Sequence, residues 1–258
     1  MIRARGDVPL ALPALSHADQ RRRRPLVDAL AHGFHGVEVD VWLHDDKLLV
    51  GHDRHEIRHD GVFEDLYLRP LFDRVVGSGG QVYPGYDLSF LLLVELKSAD
   101  AVAGYHALHE LLAKYSDMLD EHRADGTVIR RAAEVIVTGK PRRDLMRAQD
   151  VRWAACDGDM NWLEHGDPVD LVPLISARWR HVMRWWGHGP IPPGQRAALR
   201  AAVHRAHAQG RRFRFWGAPD RFGPTRQLVW RELVRAGVDY IATDRLTALA
   251  TALRRQAQ

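Results

Sequence analysis

The chain has 258 residues, 46% hydrophobic and 27% charged, which suffices for a substantial core in one large domain or two small ones. Its net charge of +4 favours phosphate substrates or a membrane surface over nucleic acid, because the basic residues follow no nucleic-acid-binding motif. The single cysteine, Cys156, excludes an internal disulfide. No apolar run approaches the roughly 20 residues of a membrane span, and no secretory segment is recognisable, so a cytoplasmic protein is expected.

Short apolar runs predict eight β-strands along the chain. Several are almost continuously hydrophobic, which is typical of parallel strands buried on both faces. The predicted strands are Ala11–His17, Gly36–Leu43, Leu91–Lys97, Glu134–Gly139, Arg152–Asp157, Leu171–Ser176, Arg212–Gly217 and Tyr240–Asp244.

Helical patterns separate these strands. The predicted helices are Pro25–His32, Asp100–His122, Arg142–Gln149, Gly194–Gln209, Pro224–Ala236 and Thr247–Arg255. This alternation predicts a (β/α)₈ TIM barrel, an α/β fold, in which residues 1–258 form a single domain. A doubly wound open sheet is the alternative, but no glycine-rich phosphate loop follows the first strand.

Acidic residues interrupt two of the apolar strands at a spacing of two. Glu38 and Asp40 share one face of their strand, as do Glu95 and Lys97 on the next. Like charges on one buried face cost several kcal/mol unless a cation or protons neutralise them. The three carboxylates therefore predict an oxygen cage for one divalent cation, Mg²⁺ or Ca²⁺.

Two histidines follow extended segments that reach the same end of the predicted barrel. His17 ends the first strand, and His52 follows the extended segment Lys47–Gly51. Catalytic residues of TIM barrels sit at the carboxyl ends of strands. With an ordinary pKa of about 6.5, one histidine can accept a proton while the other donates one.

These segments resemble a known superfamily. GVEVDVWLHDDKLLVGHD, at residues 36–53, and the later VELK resemble the signature of glycerophosphodiester phosphodiesterases and phosphatidylinositol-phospholipase-C-like enzymes. Further pieces resemble the altered-inheritance-of-mitochondria branch of phosphodiesterases, over about His17 to Leu246. They are SHADQ with RPLVDAL, FEDLYLRPL, ISARW, RFRFWGAPD and GVDYIATDRL.

The resemblance implies a role for each matching residue. The implied roles are metal binding by Glu38, Asp40 and Glu95, acid–base catalysis by His17 and His52, phosphate contact by Lys97, and lining of the substrate cleft by Trp216. Asp53 is expected to orient His52 or to support the pocket. Arg214 is expected either to pair with the carboxylates or to bind phosphate. The branch usually has His-Asn-Asp-Tyr where this chain has His17-Ala18-Asp19-Gln20. Because Ala18 offers no ligand, Asp19 or Lys97 is expected to compensate.

The resulting expectation is a metal-dependent phosphoric diester hydrolase or cyclising lyase. Its partner is a small glycerophosphodiester or lysophospholipid-like substrate, with contact to a membrane surface as a further expectation and no nucleic acid. The first alternative is a non-catalytic barrel that binds a phosphorylated ligand or an acidic lipid surface. The second is a TIM-barrel enzyme that abstracts a proton from a metal-bound carboxylate substrate, which would not need two histidines.

Overall fold

A computed structural model of the chain describes residues 12–57, 60–86, 88–164, 166–221 and 223–256. Eight parallel strands form a closed barrel, because the first strand pairs with both the second and the last. In spatial order they are β1 (Leu12–Ser16), β12 (Tyr240–Thr243), β11 (Arg212–Trp216), β10 (Leu174–Arg178), β9 (Ala155–Gly158), β7 (Ala133–Thr138), β4 (Phe90–Leu96) and β2 (Phe34–His44).

Each of the eight predicted strands overlaps one of these barrel strands, so the predicted TIM barrel is confirmed. Ala11, the first residue of the first predicted strand, lies outside the described residues.

Four short strands lie outside the barrel. β3 (Lys47–Val50) pairs antiparallel with the end of β2. Asp45 and Asp46 connect the two with positive φ angles of 45° and 61°, the conformation of a tight hairpin turn. The strands β5 (Glu121–Arg123), β6 (Val128–Ile129) and β8 (Val151–Arg152) form a separate antiparallel sheet.

The described part of the chain contains eight α-helices. They are α1 (Val27–Ala31), α2 (Arg69–Gly77), α3 (Ala101–Ala113), α4 (Arg143–Arg147), α5 (Trp179–Val182), α6 (Pro193–His207), α7 (Gly223–Ala236) and α8 (Leu246–Gln256). A π-helical turn, Glu64–Leu68, precedes α2, and 3₁₀ turns cover Asp19–Arg21, Arg54–Glu56 and Met160–Glu164. No helix in the described ranges is both long and apolar enough to cross a membrane.

The prediction of one helix over Asp100–His122 is wrong in its second half. Asp100 caps α3 by accepting hydrogen bonds from the N–H groups of Val102 and Ala103, but the helix ends at Ala113. The chain then turns so that Met118 and Leu119 are buried, and Glu121–Arg123 joins the small sheet.

The side chains of β2 alternate between the barrel interior and the surrounding helices. Val37, Val39 and Val41 are fully buried and belong to the large core cluster. Gly36 faces inward, where an added Cβ would meet Leu91 at 2.8 Å. Glu38 and Asp40 share the face of Gly36, since every second residue points the same way. Both carboxylates are therefore directed into the barrel.

Candidate active site

A cavity of about 850 Å³ opens at the carboxyl ends of the barrel strands. Its lining includes His17, Glu38, His52, Glu95 and Lys97. Segments that are distant in sequence thus bring both predicted histidines and two of the three predicted carboxylates to one chamber.

His17 follows the last residue of β1 and is held from the neighbouring strand β12. Its Nδ1 lies 2.9 Å from Oδ1 of Asp244, and 46% of the side chain is exposed. The hydrogen bond to Asp244 is the main cause of a raised pKa at His17, and the charge of Glu38 adds to it. In return, the bond to His17 lowers the pKa of Asp244.

His52 follows β3, and the chain around it is held against β2. Nε1 of Trp42 donates a 2.6 Å hydrogen bond to the carbonyl of Gly51. Nδ1 of His52 lies 2.9 Å from Oδ2 of Asp40. The predicted support of this ring by Asp53 is not what the structure shows, because Asp40 is the carboxylate in contact and Asp53 lies on the exposed loop.

Each imidazole is therefore held through Nδ1 by a different carboxylate, Asp244 or Asp40. An ionised carboxylate only accepts hydrogen bonds, so the neutral form of each ring carries its proton on Nδ1. Nε2 of His17 and of His52 is then the nitrogen that is able to exchange a proton with a substrate.

Asp40 and Glu95 are brought together by strand register. They occupy paired positions on β2 and β4, and Lys97 lies at the end of β4. Nζ of Lys97 is 2.9 Å from Glu95 and 3.6 Å from Asp40. Burial raises the pKa of Glu95, and the neighbouring Asp40 raises it further. Burial opposes the charge of Lys97, but these two carboxylates outweigh it and raise the lysine pKa.

Glu38 is paired with an arginine across the barrel. Nη1 and Nη2 of Arg214 lie 2.9 and 3.2 Å from the two carboxylate oxygens, and Nε donates to Ser176 at 2.8 Å. Of the two roles left open for Arg214, the structure shows pairing with the carboxylate cluster. Burial opposes the charge of Arg214, but Glu38 outweighs it and the pKa is raised. Beside them, burial raises the pKa of Asp157, which accepts a hydrogen bond from Thr138.

The chemistry of these carboxylates fits a hard divalent cation. Asp40 and Glu95 share the positive charge of Lys97. A Mg²⁺ or Ca²⁺ ion would reduce the remaining repulsion between the two carboxylates. Glu38 is a candidate third ligand, and each of its oxygens already accepts one hydrogen bond from Arg214.

One group of ligand atoms is already clustered at metal-binding spacing. Among the described residues, three such atoms lie within 4.8 Å of one another in Asp53, His55 and Glu56, and not in the predicted trio of carboxylates. This group lies on the loop after β3, and Arg21 already binds Glu56 through two hydrogen bonds.

Ala18 and Asp19, the two residues after His17, are both buried. Ala18 is buried and left-handed, with φ 44° and ψ 49°, a conformation that asparagine adopts more readily than alanine. Asp19 is fully buried and accepts hydrogen bonds from Ser16, Tyr67 and the N–H of Leu26. Asp19 therefore supports the fold beneath the site, and its contacts do not compensate for Ala18.

Sequence reasoning missed two site residues. Gln20 donates a 2.6 Å hydrogen bond to Oδ2 of Asp40, the oxygen that also meets His52. Asp244 ends the last predicted strand, and its partner His17 lies 227 positions away. The signal for Asp244 was the closure of the barrel, which places the end of β12 beside the end of β1.

Trp216 is the last residue of β11 and lines the cavity, and the residue is 41% exposed. The guanidinium of Arg178, at the end of β10, lies 4.7 Å from the centre of a Trp216 ring.

The closed ring of parallel strands with its accompanying helices is a TIM barrel. Two solved structures share the fold. A glycerophosphodiester phosphodiesterase from Parabacteroides distasonis superposes with a TM-score of 0.55 over 98% of this chain and 100% of that one, at 15% identity. The phosphatidylinositol-specific phospholipase C from Listeria monocytogenes superposes with a TM-score of 0.51 over 95% of each chain, at 8% identity.

Sequence comparisons find similarity to the altered-inheritance-of-mitochondria branch. The family described as AIM6-like phosphodiesterase domain matches residues 5–79, and the glycerophosphoryl diester phosphodiesterase family matches residues 212–247. Altered inheritance of mitochondria protein 6 of Eremothecium gossypii is 28% identical over 95% of this chain and 70% of its own length. The protein of that name from Lachancea thermotolerans is 27% identical over 90% of this chain and 63% of its own length. The resemblance to the phosphodiesterase superfamily, and to this branch of it, is confirmed.

Proposed function

We propose that the protein is a metal-dependent phosphodiesterase in which His17 and His52 act as the acid–base pair. The observation that carries this proposal is their arrangement in one cavity, with Nδ1 of each ring held by its own carboxylate. A pair of imidazoles oriented in this way suits a displacement at phosphorus, where one proton must leave and another must arrive.

The two imidazole rings are sufficient for the proton transfers of the reaction. One histidine takes the proton of the attacking hydroxyl, which is the neighbouring hydroxyl of the substrate or a water. As the new P–O bond forms, the other histidine protonates the leaving alkoxide while its bond to phosphorus breaks. When the substrate's own hydroxyl attacks, proximity lowers the entropic cost and a cyclic phosphate results. Water then opens this ring with the two histidines in exchanged roles.

Charge stabilisation falls to the residues between the histidines. Lys97 lies beside Glu95 and Asp40 and is placed to stabilise negative charge that develops on the phosphoryl oxygens. We propose that Asp40, Glu95 and Glu38 would hold one Mg²⁺ or Ca²⁺ ion, which would supply Lewis-acid chemistry at the phosphate group. Trp216 would contact the remaining part of a glycerophosphodiester or lysophospholipid-like substrate at the rim.

A second candidate function, binding of a phosphorylated ligand without turnover, is favoured by one observation. Both oxygens of Glu38 are engaged by Arg214, so this carboxylate is charge-compensated without a metal ion.

A panel of substrates separates the two functions. Bis-(p-nitrophenyl) phosphate, glycerophosphodiesters and lysophospholipids are tested with Mg²⁺ or Ca²⁺, and then after chelation with EDTA. The phosphodiesterase is expected to turn over at least one of them, with activity that disappears in EDTA. Activity that survives chelation would remove the metal from the proposal, and no turnover of any substrate would favour binding alone.

Histidine variants test the acid–base pair. His17→Ala and His52→Ala are each expected to lower kcat by roughly 10²-fold or more while the fold is retained. The matched control is His204→Ala, on the exposed surface of α6, which should keep the activity of the unaltered chain. Near-normal turnover in either of the first two variants would exclude that histidine from the reaction.

A further inference from the structure

A second chamber of about 470 Å³ adjoins the catalytic cavity. The two share Asp159, Ser176 and Trp216, so the end of β9, the end of β10 and the rim tryptophan separate them. Helix α6 contributes Ala198, Ala201, Ala202 and Arg205 to the lining of the second chamber. Because the two spaces share lining residues, a ligand bound near the two histidines is able to continue past Trp216 into this chamber.

Two arginines flank this passage, and each lies over a tryptophan ring. The guanidinium of Arg178 is 4.7 Å from a ring centre of Trp216, and that of Arg143 is 4.1 Å from a ring centre of Trp162. Stacking on an indole holds a guanidinium in a fixed plane and leaves its edge available for bidentate contact with an oxyanion.

Among the described residues neither arginine forms an ion pair, although the charge of Arg143 acts on the Asp157 carboxylate from further away. Across the described part of the chain, no carboxylate lies within ion-pair distance of Arg178 or Arg143, whereas Arg214 is paired with Glu38. Arg143 donates to the backbone carbonyl of Asp157, while its Nε is buried and meets no acceptor among the described residues. Buried donors are normally satisfied, so this one is suited to an acceptor from a ligand.

We infer that Arg178 and Arg143 bind a second anionic group of the substrate, a phosphomonoester joined by a short spacer to the scissile phosphodiester. The scissile phosphate lies between His17 and His52, and the terminal phosphate reaches the passage between the two chambers. The inference rests on the proposed function for the position of the scissile group, but its binding contacts are independent of turnover.

Binding of two simple probes tests the inference on the full chain. Calorimetry compares propane-1,3-diol bisphosphate with n-propyl phosphate, which differ only in the second phosphate, at one fixed ionic strength. We expect the bisphosphate to bind about tenfold or more tightly, since a charge-assisted bidentate contact is among the stronger hydrogen bonds. Arg178→Ala should remove this preference, and Arg178→Lys should restore part of it.

Arg205→Ala is the matched control. Arg205 lines the same chamber, but its guanidinium lies 3.1 Å from Glu164, so its loss should leave the preference intact. Equal affinity for the two probes, or a preference that survives Arg178→Ala, would overturn the inference. An equal gain from the phosphate ester of 4-hydroxybutyrate would overturn the phosphomonoester as the class of ligand. A preference that depends on Arg178, in a protein that cleaves no diester, would support the subsite while the proposed catalytic function fails.

Discussion

Each end of the barrel contains a glutamate–arginine ion pair, and the surroundings of the two pairs differ. Arg212 and Arg214 are two residues apart on β11, so both point into the barrel. Arg212 binds Glu134 toward the amino ends of the strands, here called the lower end. Arg214 binds Glu38 toward the carboxyl ends of the strands, here called the upper end. One strand therefore supplies both glutamate–arginine pairs, above and below a layer of apolar side chains. That interior layer is Leu15, Leu91, Leu93, Ile136, Ala155 and Leu174.

At the lower end, a tyrosine completes the contacts between Arg212 and Glu134. Nη2 of Arg212 lies 2.6 Å from Glu134, and Tyr240 contacts both partners, accepting a hydrogen bond from Arg212 at 2.7 Å. Burial disfavours the charge of Glu134, but Arg212 outweighs it and lowers the glutamate pKa. Nearby, burial lowers the pKa of His35, whose Nε2 contacts the carbonyl of Ser89. This pair joins β7 to β11 and serves the fold.

The upper pair is also buried but borders the cavity. The side chain of Arg214 is 3% exposed and that of Glu38 is 10% exposed, and both residues line the chamber. The carboxylates of Asp157 and Glu95 also act on the charge of Arg214. Below, Arg130 lies 3.6 Å from Glu134 as a second partner, but neither Glu134 nor Arg212 lines that cavity. The comparison teaches that an ion pair becomes useful for chemistry when it borders a cavity that a ligand can enter.

The largest expected effect separates the two glutamates. Glu134→Gln leaves the Arg212 charge buried without a counter-charge, which should cost about 3–5 kcal/mol of unfolding free energy. Glu38→Gln should cost less, because Asp157 and the open cavity partly compensate Arg214. Urea unfolding followed by circular dichroism measures both. Equal losses for the two variants would remove the distinction between the two ends.

The pH dependence of the lower pair has a definite sign. The folded-state pKa of Glu134 lies below its ordinary value of 4.5. Its contribution to stability is therefore fully present above that value and disappears as the pH falls through the lower folded pKa. The difference between the unaltered chain and Glu134→Gln should shrink over this acidic range.

A smaller effect distinguishes the two arginines. Arg214→Met frees Glu38 beside Asp40 and Glu95, so we expect Mg²⁺ or Ca²⁺ to stabilise this variant more than the unaltered chain. An ion at 100 times its Kd would add about 2.7 kcal/mol. Arg212→Met should show no such gain, because the space around Glu134 is closed. The measurement is Tm against ion concentration, and a Tm of Arg214→Met that does not respond to either ion would contradict the predicted carboxylate site.

Local pattern accounts for the barrel, while contacts between distant segments account for what was missed. The largely apolar segment Leu91–Leu96 predicts a strand, because a parallel strand that is buried on both faces needs a nearly continuous run of apolar residues. The helix predicted through His122 failed because pairing of Glu121–Arg123 with β6 and β8 depends on residues further along the chain. The spacing of Glu38 and Asp40 predicts that the two side chains share a face of the strand. It does not predict which side chain contacts each carboxylate. Those partners, Arg214 and His52, come from other elements.

The smallest expected effect concerns the carboxylate behind His17. Asp244→Asn removes the main cause of the raised pKa at His17, so that pKa should fall. If His17 is the general base, the acidic limb of the kcat profile moves to lower pH; if it is the general acid, the alkaline limb moves to lower pH. The limb that moves therefore assigns the role. Asp220→Asn is the matched control, because Asp220 lines the same cavity but bonds Thr243 and the N–H of Asp244 rather than a histidine. A profile in which neither limb moves, measured beside a His17 titration by NMR, would separate Asp244 from the reaction.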